Sequence, residues 1–423
     1  MMLLGKGGAM IELQDIKLNS PDTARDVYPI YKQFRADGGI VWSRKHKAWV
    51  VSNFDYARNI LNNPASSVEK LSPFTATASG DLKSKAAQMQ QIMNHWLPFL
   101  DPPAHTRMRK ILQRGFMPRS VECHEAALRA SICGILDEIA GRQEIEFLAD
   151  FAAEVPARAI TYLYGLPVSE VPRIHRWADG IAEFVLGSSK PDRYDNSLAM
   201  MQEMHSYFMN IVKEGTPPVQ SNDDAGAGSL MNLLLESREE PDGLNDEEIV
   251  ATLILVLFAA PETTANMLLN AMLNLVKQPG ALAALAAHPE NIPTALEETV
   301  RFDGPVPAVV RVAKETMVVG ETTINQGERI FVLLKSANRD ELQFNRPETL
   351  DLGRGRCQHF GFGSGIHLCV GAPLARLEAR IAFEELLKRY SAIKMVEQEI
   401  VWRDELLAHS PKALRLQLTP RIV

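Results

Sequence analysis

One run of ten residues limits what this chain can build more than any other: Phe362-Gly-Ser-Gly-Ile-His367-Leu-Cys369-Val-Gly371. Gly363 and Gly365 permit a tight backbone turn that residues with side chains resist. A helical pattern begins directly after Gly371. Backbone N–H groups around that helix start, and the positive end of the helix itself, favour thiolate over thiol at Cys369. A lone cysteine is most often a small buried hydrophobe, but this glycine-framed one, led in by Phe362, is a candidate metal ligand. Cys357 lacks the framing and reads as structural. Cys123 and Cys133 fall in a helical segment, and no CxxC or zinc-type spacing occurs, so the four cysteines form no disulfide framework. A reducing cytoplasm is the expected compartment.

The rest of the chain is ordinary for a globular protein, with 423 residues, 46% hydrophobic and 23% charged. A net charge of −7 argues against a nucleic-acid partner. The start, Met1 to Met10, is a poor signal peptide, and the apolar stretch Ile249 to Pro261 is too short to span a bilayer. A monomer without a membrane partner is expected. There is no internal repeat, and the polar segment Pro217 to Ser229 reads as a surface loop, so residues 1–423 are expected to form one domain. Strands are expected at Ile40 to Trp42, Ala48 to Ser52, Arg311 to Val319, Thr322 to Ile324, Arg329 to Leu333 and Leu414 to Leu418. Helices are expected at Ala104 to Gly115, Val121 to Ala140, Glu247 to Lys277, Pro293 to Phe302 and Ala372 to Tyr390.

Leu253 to Thr264 reads Leu-Ile-Leu-Val-Leu-Phe-Ala-Ala-Pro-Glu-Thr-Thr. An acid and two hydroxyls at the end of a buried apolar helix need partners or a task. Farther on, Glu298-Thr-Val-Arg301 places two opposite charges on one helix face, where a bidentate pair can form.

Together these stretches resemble the bacterial soluble cytochrome P-450 family, the heme-thiolate monooxygenases. The run Phe362, Gly363, Gly365, His367, Cys369 and Gly371 is similar to that family's signature, and the likeness extends along most of the chain. The resemblance implies a mainly α fold with small β-sheets, in which a long central helix crosses over the heme. It implies that Cys369 is the thiolate ligand of a heme b iron, with Phe362 and Gly363 shaping the loop beneath the ring. His105 and Arg109 in Asp101-Pro-Pro-Ala-His105-Thr-Arg-Met-Arg109, Arg311 on a strand, and His367 resemble the family's propionate contacts. Glu298 and Arg301 look like its buried Glu-x-x-Arg pair, which fixes the scaffold beneath the heme. Many members complete that pair with an arginine where Thr349 stands here. Either Arg354 substitutes or the network has two members.

Glu262 and Thr263 resemble the family's acid–alcohol pair, with Thr263 positioning water and Glu262 relaying protons during oxygen activation. Ala260 and Pro261 depart from the usual residues. Proline removes a helical hydrogen bond and kinks the helix, an opening that suits an oxygen pocket. By the same resemblance Leu255, Phe258, Ala259, Val306, Ala308, Val309 and Leu406–Leu407 border an apolar substrate, with lids near Ser67 to Trp96 and Ile181 to Ser197. The implied reaction inserts one oxygen atom from dioxygen into a small apolar molecule. Electrons would come from NAD(P)H only indirectly, through a ferredoxin or flavodoxin and its reductase. A basic patch of Arg107, Lys110, Arg114, Arg354 and Arg356 would attract that donor. Two alternatives stay open: a peroxide-using, coupling or desaturating oxidase, and a noncatalytic heme-binding sensor.

Overall fold

The longest helix begins where its sequence supplies a capping box. Asn245 Oδ1 accepts from the Glu248 N–H at 2.9 Å, and the Glu248 carboxylate accepts from the Asn245 N–H at 3.0 Å. The computed structural model describes residues 2–4, 10–69, 80–185, 192–215, 229–403 and 405–421. In chain order the framing elements begin with helix α1 (Tyr28–Ala36), strands β1 (Ile40–Ser43) and β2 (Ala48–Val51), helix α2 (Phe54–Asn62), strand β3 (Ser66–Ser67) and helix α3 (Ala104–Gly115). They continue through α4 (Glu125–Glu138), β4 (Glu144–Glu146), α5 (Glu154–Tyr164), α6 (Val171–Val185), α7 (Arg193–Glu214) and α8 (Asp246–Lys277). The last are α9 (Ile292–Asp303), β5 (Val309–Ala313), β6 (Met317–Val319), β7 (Thr322–Ile324), β8 (Arg329–Val332), α10 (Ala372–Arg389), β9 (Tyr390–Met395) and β10 (Arg415–Pro420).

The chain divides into two compact units, each discontinuous in sequence. The first comprises Met1–Lys70, Glu297–Cys369 and Val401–Lys412. It is organised by a five-stranded sheet in the order β1-β2-β8-β5-β3. Strand β8 runs parallel to β2, with Ile330 opposite Trp49, and antiparallel to β5, with Ile330 opposite Arg311. One core of this unit gathers Val51, Phe54, Ile60, Ile330, Val332 and Phe360, and a second gathers Tyr31, Phe34, Val50, Ala308 and Leu333. Arg311 to Val319, read from sequence as one strand, is two. The exposed Lys314-Glu-Thr turn separates β5 from β6, which pairs instead with β7.

The second unit comprises Leu71–Leu296, Val370–Ile400 and Ala413–Val423. It carries helices α3 to α8 and α10 and an antiparallel sheet in the order β9-β10-β4. Helix α8 is long and apolar enough to cross a membrane, yet 78% of its most apolar window is buried, as in a core helix. Val121 to Ala140 does not form one helix. It breaks at Cys123 and His124, where the tight-turn bond from His124 N–H to Val121 C=O (3.1 Å) ends the short helix Pro118–Glu122 before α4 starts. The loop expected at Pro217 to Ser229 lies outside the described residues except for Ser229, which caps the helix Leu230–Glu236. Residues 70–79 and 186–191 of the two expected lids also lie outside them.

Candidate functional site

In the first unit the cysteine loop is fixed by its glycines. Gly363 and Gly365 have φ of 77° and 68°, in the left-handed region that penalises side chains. A Cβ on Gly365 would come within 2.7 Å of the Leu61 carbonyl oxygen on α2, so this residue also allows the close approach of two backbones. The loop closes on itself through Gly363 N–H to Phe360 C=O and Cys369 N–H to Phe362 C=O, both at 2.9 Å. Phe360 anchors its base, donating its N–H to Asn338 Oδ1 at 2.7 Å and stacking on Phe54 with ring centres 4.4 Å apart. On this support Cys369 is exposed, beside exposed Leu368 and Ile366. Cys357 is half-buried, and burial raises the pKa of its thiol, consistent with a structural role.

The charge pair on α9 is bidentate: Arg301 Nε and Nη2 meet the Glu298 carboxylate at 2.7 and 2.8 Å, with Arg301 0% exposed. Burial of that depth requires every donor to be matched. The remaining donors reach the carbonyls of Asn338 (2.7 Å), Pro347 (3.1 Å) and Thr349 (3.3 Å). Arg354 completes the network with Nε 3.0 Å from Glu298, while its other nitrogens donate to the Asn345 and Arg346 carbonyls. The network therefore has three members, and Thr349 enters it through its backbone. Arg311 lies buried on β5 and donates to the Val310 carbonyl at 3.0 Å, and His367 is half-buried in the short turn Gly365–His367. Val306 and Val309 pack against the first core, while Leu406 packs against the second, which contains Ala308.

In the second unit α3 carries buried His105 and half-buried Arg109 one helical turn apart. The expected basic patch is smaller than the sequence suggests. Arg107 is held by Glu248 and the Gly243 carbonyl, Arg114 pairs with Glu240 at 2.8 Å, and Arg354 belongs to the network above. Acidic partners distant in sequence neutralise these cations. Among the described residues no ion pair joins exposed Lys110 or exposed Arg356.

Helix α8 is buried from Glu248 to Leu273 except at four positions, Ala259, Ala260, Glu262 and Thr263, which open a window in its middle. Pro261 lies inside this window, and the helix runs through it unbroken. The effect of the proline is local: the Leu257 carbonyl loses the N–H that an ordinary residue at 261 would offer. The Thr263 hydroxyl donates to the Ala259 carbonyl at 2.7 Å, and Glu262 accepts from Asn266 Nδ2 at 3.0 Å. Leu255 and Phe258 are buried, and Phe258 stacks on Trp96, with ring centres 5.7 Å apart. Trp96, which ends the expected lid segment Ser67 to Trp96, also stacks on Phe99.

These residues fit heme b. An accessible thiol on a rigid loop is a soft ligand for iron, and His105, Arg109, Arg311 and His367 are the polar and cationic types that two propionates require. The cytochrome P450 family model matches residues 184–289 and 290–418. The chain is 30% identical over 383 residues to the biotin biosynthesis cytochrome P450 of Bacillus subtilis (strain 168), spanning 90% of each protein. It is 31% identical over 411 residues to the cytochrome P450 monooxygenase PikC of Streptomyces venezuelae, spanning 95% of this chain and 94% of that one. Among solved structures, P450BioI in complex with hexadec-9Z-enoic acid ligated acyl carrier protein superposes with a TM-score of 0.85 at 26% identity, covering 94% of this chain and 100% of that one.

Proposed function

The chain belongs to the cytochrome P450 family and is a heme b monooxygenase, and on that premise we propose that it oxidises a small apolar molecule with Cys369 as iron ligand. Heme bound to a thiolate supplies the oxygen-activating chemistry. The protein's own part is to hold, orient and protonate. The observation that carries the reading is the window in α8: an acid and an alcohol, Glu262 and Thr263, reach accessible space in the middle of an otherwise buried helix. Thr263, already turned toward the Ala259 carbonyl, is the group that positions water, and Glu262 is the proton relay. His105, Arg109, Arg311 and His367 hold the propionates, while Phe362 and Gly363 shape the loop under the ring. The network of Glu298, Arg301 and Arg354 keeps that loop's surroundings fixed.

Leu255, Phe258, Ala259, Val306, Val309 and Leu406 form the apolar substrate-binding set, and their side chains support a hydrocarbon-rich substrate. A relative's carrier-bound fatty acid makes fatty acyl chains the first compounds to try. We assign electron delivery to a separate ferredoxin or flavodoxin with an NAD(P)H-dependent reductase, the whole chain acting as one catalytic domain of a cytoplasmic monomer. The exposed cations Lys110 and Arg356 support an acidic donor. One experiment tests the reading. The reduced, carbon monoxide-treated protein should show the strongly red-shifted Soret band of thiolate ligation, and Cys369→Ser should lose it. In a coupled assay with a ferredoxin–reductase pair, Thr263→Ala should retain that band yet divert most reducing equivalents to hydrogen peroxide. Full coupling in Thr263→Ala would sink the acid–alcohol assignment.

A further inference from the structure

A second buried charge cluster lies in the first unit, apart from the cysteine loop. Lys335, 1% exposed at the exit of β8, places Nζ 2.5 Å from Asp303 Oδ1 and 2.6 Å from His409 Nδ1. Asp303 also accepts from the Tyr28 hydroxyl at 2.5 Å. The other ring nitrogen of His409 lies 2.9 Å from the Ala24 carbonyl, so the ring is an imidazole with its proton on Nε2, accepting from Lys335 through Nδ1. Burial, reinforced by the Lys335 charge, pushes the His409 pKa down to about 3 and keeps that neutral form. Burial alone would raise the pKa of Asp303, but the Lys335 ammonium overcomes it and holds the carboxyl well below the usual range. Sequence gives no warning of this cluster, because a lysine after the apolar run Phe331-Val-Leu-Leu normally reaches solvent.

The cluster joins two segments whose placement matters. Residues 401–403 and 405–412 form the two sides of a hairpin-like strap, closed by Arg403 N–H to Ser410 C=O (3.0 Å) and Lys412 N–H to Val401 C=O (2.8 Å), with Leu406 between these closures. Trp402 stacks on His409 with ring centres 4.4 Å apart. The second segment is Gly304 to Val309, which starts directly after Asp303. His409 N–H donates to its Pro305 carbonyl at 2.9 Å and Lys335 N–H to its Pro307 carbonyl at 3.3 Å. Every member of the cluster thus fixes the strap, the Gly304–Val309 segment, or both. A buried ion pair adds little net stability compared with apolar packing, and its best-attested use is to fix register.

We infer that the Asp303–Lys335–His409 cluster sets substrate specificity by holding the strap that carries Leu406 and the Gly304–Val309 segment that carries Val306 and Val309 in fixed register. The inference rests on the assignment of those three residues to the substrate site. His409 is a positioning residue: it touches no substrate and acts through the strap. Two substitutions separate its functions. His409→Phe keeps an aromatic ring for Trp402 but leaves Lys335 without its second acceptor, whereas His409→Gln retains both an acceptor and a donor.

The test uses heme-loaded protein, dodecanoic acid, hexadecanoic acid and testosterone as probes, and Leu406→Ala as a control. In His409→Phe the spectrally measured Kd for at least one probe should weaken by about tenfold and the ratio of hydroxylated regioisomers should shift by about threefold, with heme content and the carbon monoxide spectrum unchanged. His409→Gln should restore both values. If Leu406→Ala alters binding and product ratio while His409→Phe changes only thermal stability, the cluster is merely structural and the inference is overturned. If Leu406→Ala changes neither, the assignment of the strap to the substrate site fails, and the inference fails with it.

Discussion

Glu378 on α10 is 1% exposed, and its Oε2 has no hydrogen-bond partner. Burial, with nothing opposing it, pushes its pKa from 4.5 up to about 8. Because the folded pKa is raised, the folded protein holds a proton between about pH 4.5 and 8 that the unfolded chain releases. Stability is therefore fully present below that window and falls as pH rises through it, by roughly 1.4 kcal/mol per pH unit at most. Glu378→Gln should remove this slope, matching the parent near pH 5 and exceeding it near pH 8 in urea unfolding. Parallel curves for the two proteins at both pH values would contradict the assignment. Sequence places Glu378 only on a helix. Its lack of a partner is decided by which side chains of other helices surround it.

Helix α8 shows how much an element owes to its own residues. The capping box at Asn245 and the apolar run set its start and burial, and both are legible as pattern. Pro261 does not end the helix, which continues on both sides of it, while the Leu257 carbonyl loses the N–H it would otherwise accept from. Pro261→Ala restores that N–H. It should stabilise the protein by on the order of 1–3 kcal/mol. By closing the local gap beside Thr263 it should also raise the fraction of electrons lost as hydrogen peroxide. Greater stability with an unchanged peroxide ratio would mean that Pro261 has no part in oxygen activation. The strands were less legible: β5 and β6 form one continuous β-prone run in sequence and separate only because they pair in different sheets.

Across the whole molecule a net charge of −7 coexists with exposed cations such as Lys110 and Arg356. Association with the proposed acidic electron donor would then depend on local charge rather than on the total. Lys110→Glu should raise the apparent KM for a ferredoxin by about tenfold while leaving kcat at saturating ferredoxin unchanged, and the effect should shrink at high salt. Arg107→Ala, which breaks the pair with Glu248, should instead lower thermal stability. Stopped-flow reduction at two ionic strengths, beside thermal melts, separates the two cases. Equal ferredoxin dependence in Lys110→Glu and the parent would remove Lys110 from the docking surface.

The cysteine loop, the Glu298–Arg301 pair, the adjacent acid and alcohol Glu262 and Thr263 on α8, and the family resemblance were all legible in the sequence. Each depends on neighbours within a few positions, where glycine freedom, helical spacing and residue chemistry act locally. Tertiary structure alone decided that Arg354 joins Glu298, that Glu248 and Glu240 neutralise Arg107 and Arg114, and that Lys335 is buried between Asp303 and His409. Lys335 and His409 lie 74 positions apart, and Lys335 and Asp303 lie 32 apart. Which charges meet over such separations follows from how sheets and helices pack, and the ionic state of a buried group follows from that meeting.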